Sequence, residues 1–146
     1  MADTITRVAL VTGASRGIGR ATAATLAGKG LALFLVADGT TEELAAAEEE
    51  CHTAGAPDAA HALVDLAAAG AAERMVEAAL GRFGRVDVLV NNAGIRCRKD
   101  FGDYARDDFE RVVAVNLAAA FFASQAVLPA MRRQGGGRII HVASQL

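Results

Sequence analysis

The segment Gly13-Ala14-Ser15-Arg16-Gly17-Ile18-Gly19 constrains this chain more than any other feature. It lies between an apolar run, Arg7–Thr12, and a run of good helix formers, Arg20–Lys29, that ends at Gly30. Glycines at 13, 17 and 19 permit a tight turn, close approach of backbone to a ligand, and close helix–strand packing. Amides from about Gly17 onward would open a helix, whose positive end suits phosphate oxygens. Such a loop belongs after a buried strand, so the rest of the chain should alternate strands with helices.

The pattern supports that alternation. Leu31–Ala37 reads as a second buried strand. Thr41 is a candidate cap for the next helix, with Glu42, Glu43 and Glu48–Glu50 on its exposed side and Gly55 and Pro57 after its end. Ala60–Val64 is predicted as a third strand and Ala71–Phe83 as a helix with Met75, Val76, Ala79 and Leu80 on one face. Val86–Val90 is the fourth strand. A long helix follows over Asp107–Arg133, in which Phe109, Val112, Val113, Asn116, Leu117, Ala120, Phe121 and Ser124 recur at spacings of three and four. Asn116 therefore falls on the apolar face, and Pro129 is a candidate kink. Gly135–Gly137 ends the helix, and Arg138–Val142 is the fifth strand. The expected fold class is α/β: a Rossmann-like, doubly wound parallel sheet of five strands in the order 3-2-1-4-5, with helices on both faces. Ligands in such sheets bind at the carboxyl ends of the strands.

Bulk properties fit one dinucleotide-binding domain over residues 1–146 and narrow the partners. The hydrophobic fraction, 53%, is raised mainly by alanine, and no run approaches the roughly 18 uninterrupted apolar residues of a spanning helix. No secretory signal is expected from Met1-Ala2-Asp3-Thr4. Fifteen basic and seventeen acidic residues are spread along the chain, which argues against nucleic-acid or membrane-surface binding. Two separated cysteines, Cys51 and Cys97, and three scattered histidines give neither a disulfide framework nor a metal site. A cytoplasmic location is the corresponding expectation.

The glycine spacing is G-x-x-x-G-x-G, and Thr12-Gly13-x-x-x-Gly17-x-Gly19 resembles the short-chain dehydrogenase/reductase family. Four further segments carry the resemblance along essentially the whole chain. Asp65-Leu66 matches the family's adenine-contacting acidic pair, and Asn91-Asn92-Ala93-Gly94 matches the N-N-A-G turn that lines the cofactor groove. Asn116 matches the catalytic asparagine, and Arg138-Ile139-Ile140-His141-Val142-Ala143-Ser144 resembles the fifth strand that ends in the catalytic serine. The resemblance implies hydride transfer between a nicotinamide cofactor and a small carbonyl or alcohol substrate, by a protein that forms homo-oligomers through the long helix. It places Gly13, Ser15, Arg16, Gly17, Ile18, Gly19, Asp38, Asp65, Leu66, Asn92, Ala93 and Gly94 at the cofactor and Asn116 and Ser144 at the reacting groups.

The choice between NAD and NADP stays open, with a slight lean to NAD. Asp38 lies nineteen positions past Gly19, where a carboxylate can hold the ribose 2′-hydroxyl and repel a 2′-phosphate. Arg16, in the glycine loop, points the other way, and Ala37 competes with Asp38 for the ribose position.

In the family a tyrosine moves the hydroxyl proton, and a lysine four residues later lowers its pKa. That pair is expected about a dozen residues past Ser144. The single tyrosine here is Tyr104, followed four places later by Asp108. The family's later strands and helices would also follow. The chain alone is therefore expected to lack appreciable dehydrogenase activity and to leave Ile139, Ile140 and Val142 on an aggregation-prone edge. The alternatives are a non-catalytic dinucleotide-binding or dimerisation module and, more remotely, a nucleotide-binding domain for another chemistry such as methyl transfer.

Overall fold

The protein, described here over residues 6–144 of a computed structural model, is built on five strands. The readings made on Met1–Thr4 and on the chain end at Leu146 lie outside the described residues. β1 (Val8–Thr12), β2 (Ala32–Ala37), β3 (Ala59–Leu63), β4 (Val88–Asn91) and β5 (Arg138–His141) form one parallel sheet in the order β3-β2-β1-β4-β5. The order reverses beside β1, so the crevice between the outgoing connections of β1 and β4 opens at the strands' carboxyl ends.

The strands sort their side chains by alternation. Ala9, Val11, Leu33 and Leu35 enter one core with Ala23 and Ala27 of α1 (Gly17–Ala27) and Leu44, Ala47 and Cys51 of α2 (Thr41–Ala54). Leu10, Phe34 and Val36 point the other way, onto α3 (Ala71–Phe83) and the last long helix. β1 and β2 are buried on both faces, as their near-continuous apolar sequence requires. β3 and β5 are the two sheet edges, and Ile140 is 40% exposed on the latter.

Three local expectations need correction. The cap of α2 is Thr40, one residue earlier than Thr41. Its side chain accepts from the Glu43 amide at 3.2 Å while Glu43 Oε2 accepts from the Thr40 amide at 3.2 Å, a reciprocal capping box. Next, the long helix runs as α4 (Arg106–Val113), a π turn (Ala114–Ala118) and α5 (Ala119–Arg133), and α5 continues through Pro129. The irregularity thus lies at Asn116 rather than at the proline.

The buried face of that helix also differs from the expected one. Val115, Ala119, Ala123, Val127, Ala130 and Met131 are covered, whereas Phe109, Leu117 and Phe121 are each at least 60% exposed. Asn116 belongs to the exposed side, not to a buried apolar face. Small residues win the inner face because α5 packs closely against α3 and the sheet, and bulky phenylalanines would hold it off. Arg106–Arg133 is long and apolar enough to cross a membrane by length and composition alone, a test that the core helix of a soluble protein also passes.

Candidate functional site

Two loops meet where β1 and β4 end. Gly13 (φ +64°) and Gly17 (φ +55°) adopt left-handed backbone that side chains disfavour. Gly13 also lacks room: a Cβ there would stand 2.8 Å from Asn92 Nδ2 and 3.0 Å from Ala93 Cα. At Gly19 a Cβ would come within 2.5 Å of Asn92 Nδ2 and 2.7 Å of the Gly13 carbonyl carbon. The glycines therefore let the loop, the first turn of α1 and the Asn92 turn interlock.

Thr12 joins them, and the sequence reading did not assign it a role. Its buried Oγ1 accepts from the amides of Asn92 and Ala93, each at 3.0 Å. Asn92 Nδ2 returns bonds to the carbonyls of Thr12 (3.0 Å) and Gly13 (3.3 Å). A threonine ending a buried strand directly before the first glycine was the available signal.

Above this junction lies a cavity of about 210 Å³. Gly13, Ser15 and Arg16 form one wall, Ala37 and Asp38 stand at the end of β2, and Leu66 follows β3. Asn92, Ala93 and Gly94, with Ile95, close it beside β4. Among the described lining residues, Arg16 is the one cation and Asp38 the one carboxylate, and none is a His, Cys, Tyr or Lys. Both Ala37 and Asp38 face the cavity, so the two residues weighed for the ribose position share it.

Three predicted residues, Gly17, Ile18 and Gly19, do not line the cavity, and the Ile18 side chain is 66% exposed. What they offer is backbone. α1 starts with no side-chain cap and no acid in its first turn, which leaves its leading amides for an anion. The residues thus fit a dinucleotide diphosphate at the α1 start, held by peptide NH groups.

Asp65 is placed differently from Leu66. Its carboxylate accepts from the Ala67 amide at 2.9 Å and from both terminal nitrogens of Arg111 at 3.2 and 3.3 Å, and it borders a neighbouring groove. The Ala67 amide first, and Arg111 second, hold this carboxyl below the usual carboxylate range. Leu66, by contrast, is buried and lines the cavity.

Asn116 sits in the π turn, where its amide brackets one residue. Oδ1 accepts from the Ile95 amide at 2.8 Å and Nδ2 donates to the Ile95 carbonyl at 2.9 Å. The asparagine thereby holds the cavity wall, although it is not itself a lining residue. Ser144 is exposed beyond β5, at the same end of the sheet and outside the cavity lining. Below it, buried Asn91 ties β4 to Ser124 of α5 and to His141 of β5.

The family model of the short chain dehydrogenases matches residues 7–146. The chain belongs to the short-chain dehydrogenase family. An L-rhamnose 1-dehydrogenase (NAD(P)(+)) of Azotobacter vinelandii is 42% identical over 145 residues, covering 96% of this chain and 56% of that protein. Among solved structures, a metagenomic short-chain oxidoreductase in complex with NADP superposes with TM-score 0.89 at 36% identity, covering 97% of this chain and 63% of that one. An NAD+-bound xylitol dehydrogenase superposes with TM-score 0.84 at 36% identity, covering 97% and 54%. This short-chain dehydrogenase sequence spans about half the length of the curated relatives it matches.

Proposed function

We propose that this chain is the cofactor-binding part of an NAD(P)-dependent oxidoreductase acting on a small carbonyl or alcohol substrate. The observation that carries the reading is the uncapped, acid-free start of α1, which directly follows Arg16 in the wall of a cavity also lined by Gly13 and Asn92. The cofactor would supply or accept hydride. The chain's own part is to hold it: the amides at Gly17–Gly19 meet the diphosphate, Asp38 takes the adenosine ribose, and Leu66 packs on the adenine. Asp65 supports that adenine wall through Ala67 and Arg111. Ala93 and Gly94 border the nicotinamide side.

Asn116 acts by fixing the Ile95 backbone, and Ser144 offers a hydroxyl to the substrate oxygen. Proton transfer in the family is the work of a tyrosine, and the described cavity lining contains no Tyr, His, Cys or Lys. That observation favours a second reading for the 146 residues taken alone: a dinucleotide-binding module without turnover. NAD is the preferred cofactor because Asp38 lies at the cavity, and Arg16 keeps NADP in contention.

The test is a calorimetric titration of the purified chain with NADH and NADPH, followed by assays with a panel of ketones. Saturable binding without turnover is expected. No saturation with either nucleotide would remove the cofactor reading, and brisk turnover would remove the module reading. Self-association through the exposed face of α4 and α5, including Phe109, Leu117 and Phe121, is proposed as well. Sedimentation of wild type against Phe121→Glu reads it directly, with a shift toward monomer expected.

A further inference from the structure

Glu43 is placed to do more than cap a helix. Its carboxylate lies against Gly39, so close that a Cβ on Gly39 would collide with Oε2, and the same Cβ would stand 3.5 Å from Ser15 Oγ. Ser15 lines the cavity, as does Asp38, the residue before Gly39. The Glu43 carboxylate therefore lies against the turn that leaves β2, on the side of that turn where Ser15 of the phosphate loop also approaches, and next to the cavity-lining Asp38. A nucleotide with its diphosphate at the α1 start must lay its adenosine ribose toward this turn, because the ribose is bonded directly to the diphosphate.

Two consequences follow for a phosphate on the ribose 2′ position. Asp38 and Glu43 give two negative charges against the single positive charge of Arg16, since the neighbouring Arg20 is paired with Glu50 at 2.6 Å. The Thr40 amide, a donor at this helix start that an anion could otherwise accept from, is already bonded to Glu43 Oε2 at 3.2 Å. We propose that Glu43 is a specificity-determining residue, an internal anion at the α2 start that disfavours a 2′-phosphate and so reinforces selection of NAD over NADP. This inference rests on the cofactor reading above and deepens it.

The variant Glu43→Gln removes the charge and keeps the box, because glutamine at the third helical position can accept from the same amide. Binding of 5′-AMP and of adenosine 2′,5′-bisphosphate to the full chain is compared by NMR or calorimetric titration. Glu43→Gln is expected to tighten the bisphosphate about three- to tenfold, the effect of one partly solvated charge several ångströms away, and to leave 5′-AMP within about twofold. The gain should shrink as salt is raised. Glu43→Ala, which also frees the Thr40 amide, is expected to gain at least as much for the bisphosphate. An unchanged ratio of the two affinities in Glu43→Gln overturns the proposal while the cofactor reading stands. Equal tightening of both ligands also overturns it, since a general change in the loop would do that. Failure of wild type to bind either adenosine ligand or NADH overturns both readings together.

Discussion

α1 and α2 both leave the sheet's carboxyl edge, yet their first turns are finished in opposite ways. At the third helical position α1 has Gly19 and α2 has Glu43. Glu43 reaches back to the Thr40 amide while the Thr40 hydroxyl accepts from Glu43, so α2 satisfies its own end. Gly19 has no side chain to reach back, Arg16 offers no capping oxygen, and α1 starts with uncapped donors next to the cavity that Arg16 lines. α4 lies between: Asp108 accepts from the Ala105 amide at 2.9 Å, but Ala105 can return nothing. A helix start thus either closes on itself or stays available to a ligand, and the choice is made by two or three side chains.

A side chain at Gly19 should erase the difference between the two helix starts most completely. Gly19→Ala drives a Cβ into the Gly13 carbonyl and the Asn92 amide. Denaturant unfolding should report a loss of about 1–3 kcal/mol or more, and nucleotide binding should vanish. Gly17→Ala is the milder companion, because nothing lies within 4 Å of its Cβ and only the positive φ is strained, at roughly 1–2 kcal/mol.

Making α1 resemble α2 in charge alone should separate stability from binding. Ile18→Asp puts an acid at the second helical position, on a side chain that is exposed and packs little. Thermal stability should hold or rise, by about 0.3–1 kcal/mol from the helix dipole. Affinity for NADH should fall about tenfold through repulsion of the diphosphate, read by fluorescence titration. Loss of both together would show that the side chain matters for folding instead.

The converse change on α2 should spare the ligand. Thr40→Ala removes one half of the capping box and is expected to destabilise by about 1 kcal/mol, with NADH affinity unchanged within about twofold. The smallest effect belongs to α4. The hydrogen bond from Lys99 first, and the Ala105 amide second, depress the pKa of Asp108. A group depressed in the folded state stabilises above its unfolded pKa, about 3.9, and that contribution disappears as pH falls through the folded value. In Asp108→Asn the acid side of the stability–pH curve should therefore flatten slightly, and above about pH 5 the curve should run parallel to that of the wild type and slightly below it.

Much of the fold and the cradle was legible residue by residue. The alternation of buried runs and helix formers marked a parallel α/β sheet, and the three glycines marked the interlocking loops because Gly13 and Gly17 take left-handed backbone and Gly13 and Gly19 leave no room for a Cβ. The Asn91–Gly94 turn was found where its amides meet Thr12. Burial of the long helix was misread for a physical reason. Periodicity picks out the stripe with the largest apolar residues, Phe109 to Phe121, whereas close packing on α3 and the sheet selected Ala119, Ala123 and Val127. The π turn at Asn116 was also invisible, since it leaves no compositional mark.

Local chemistry alone therefore determined where the chain turns, which strands are buried, and that one helix start lacks a cap. Such properties depend on neighbours in sequence. Only the tertiary structure decided that Asn116 holds Ile95, that Asp65 is engaged by Arg111, and that Glu43 stands beside Ser15. Those pairings join residues 21, 46 and 28 positions apart, and side-chain reach across such separations follows from packing rather than from pattern.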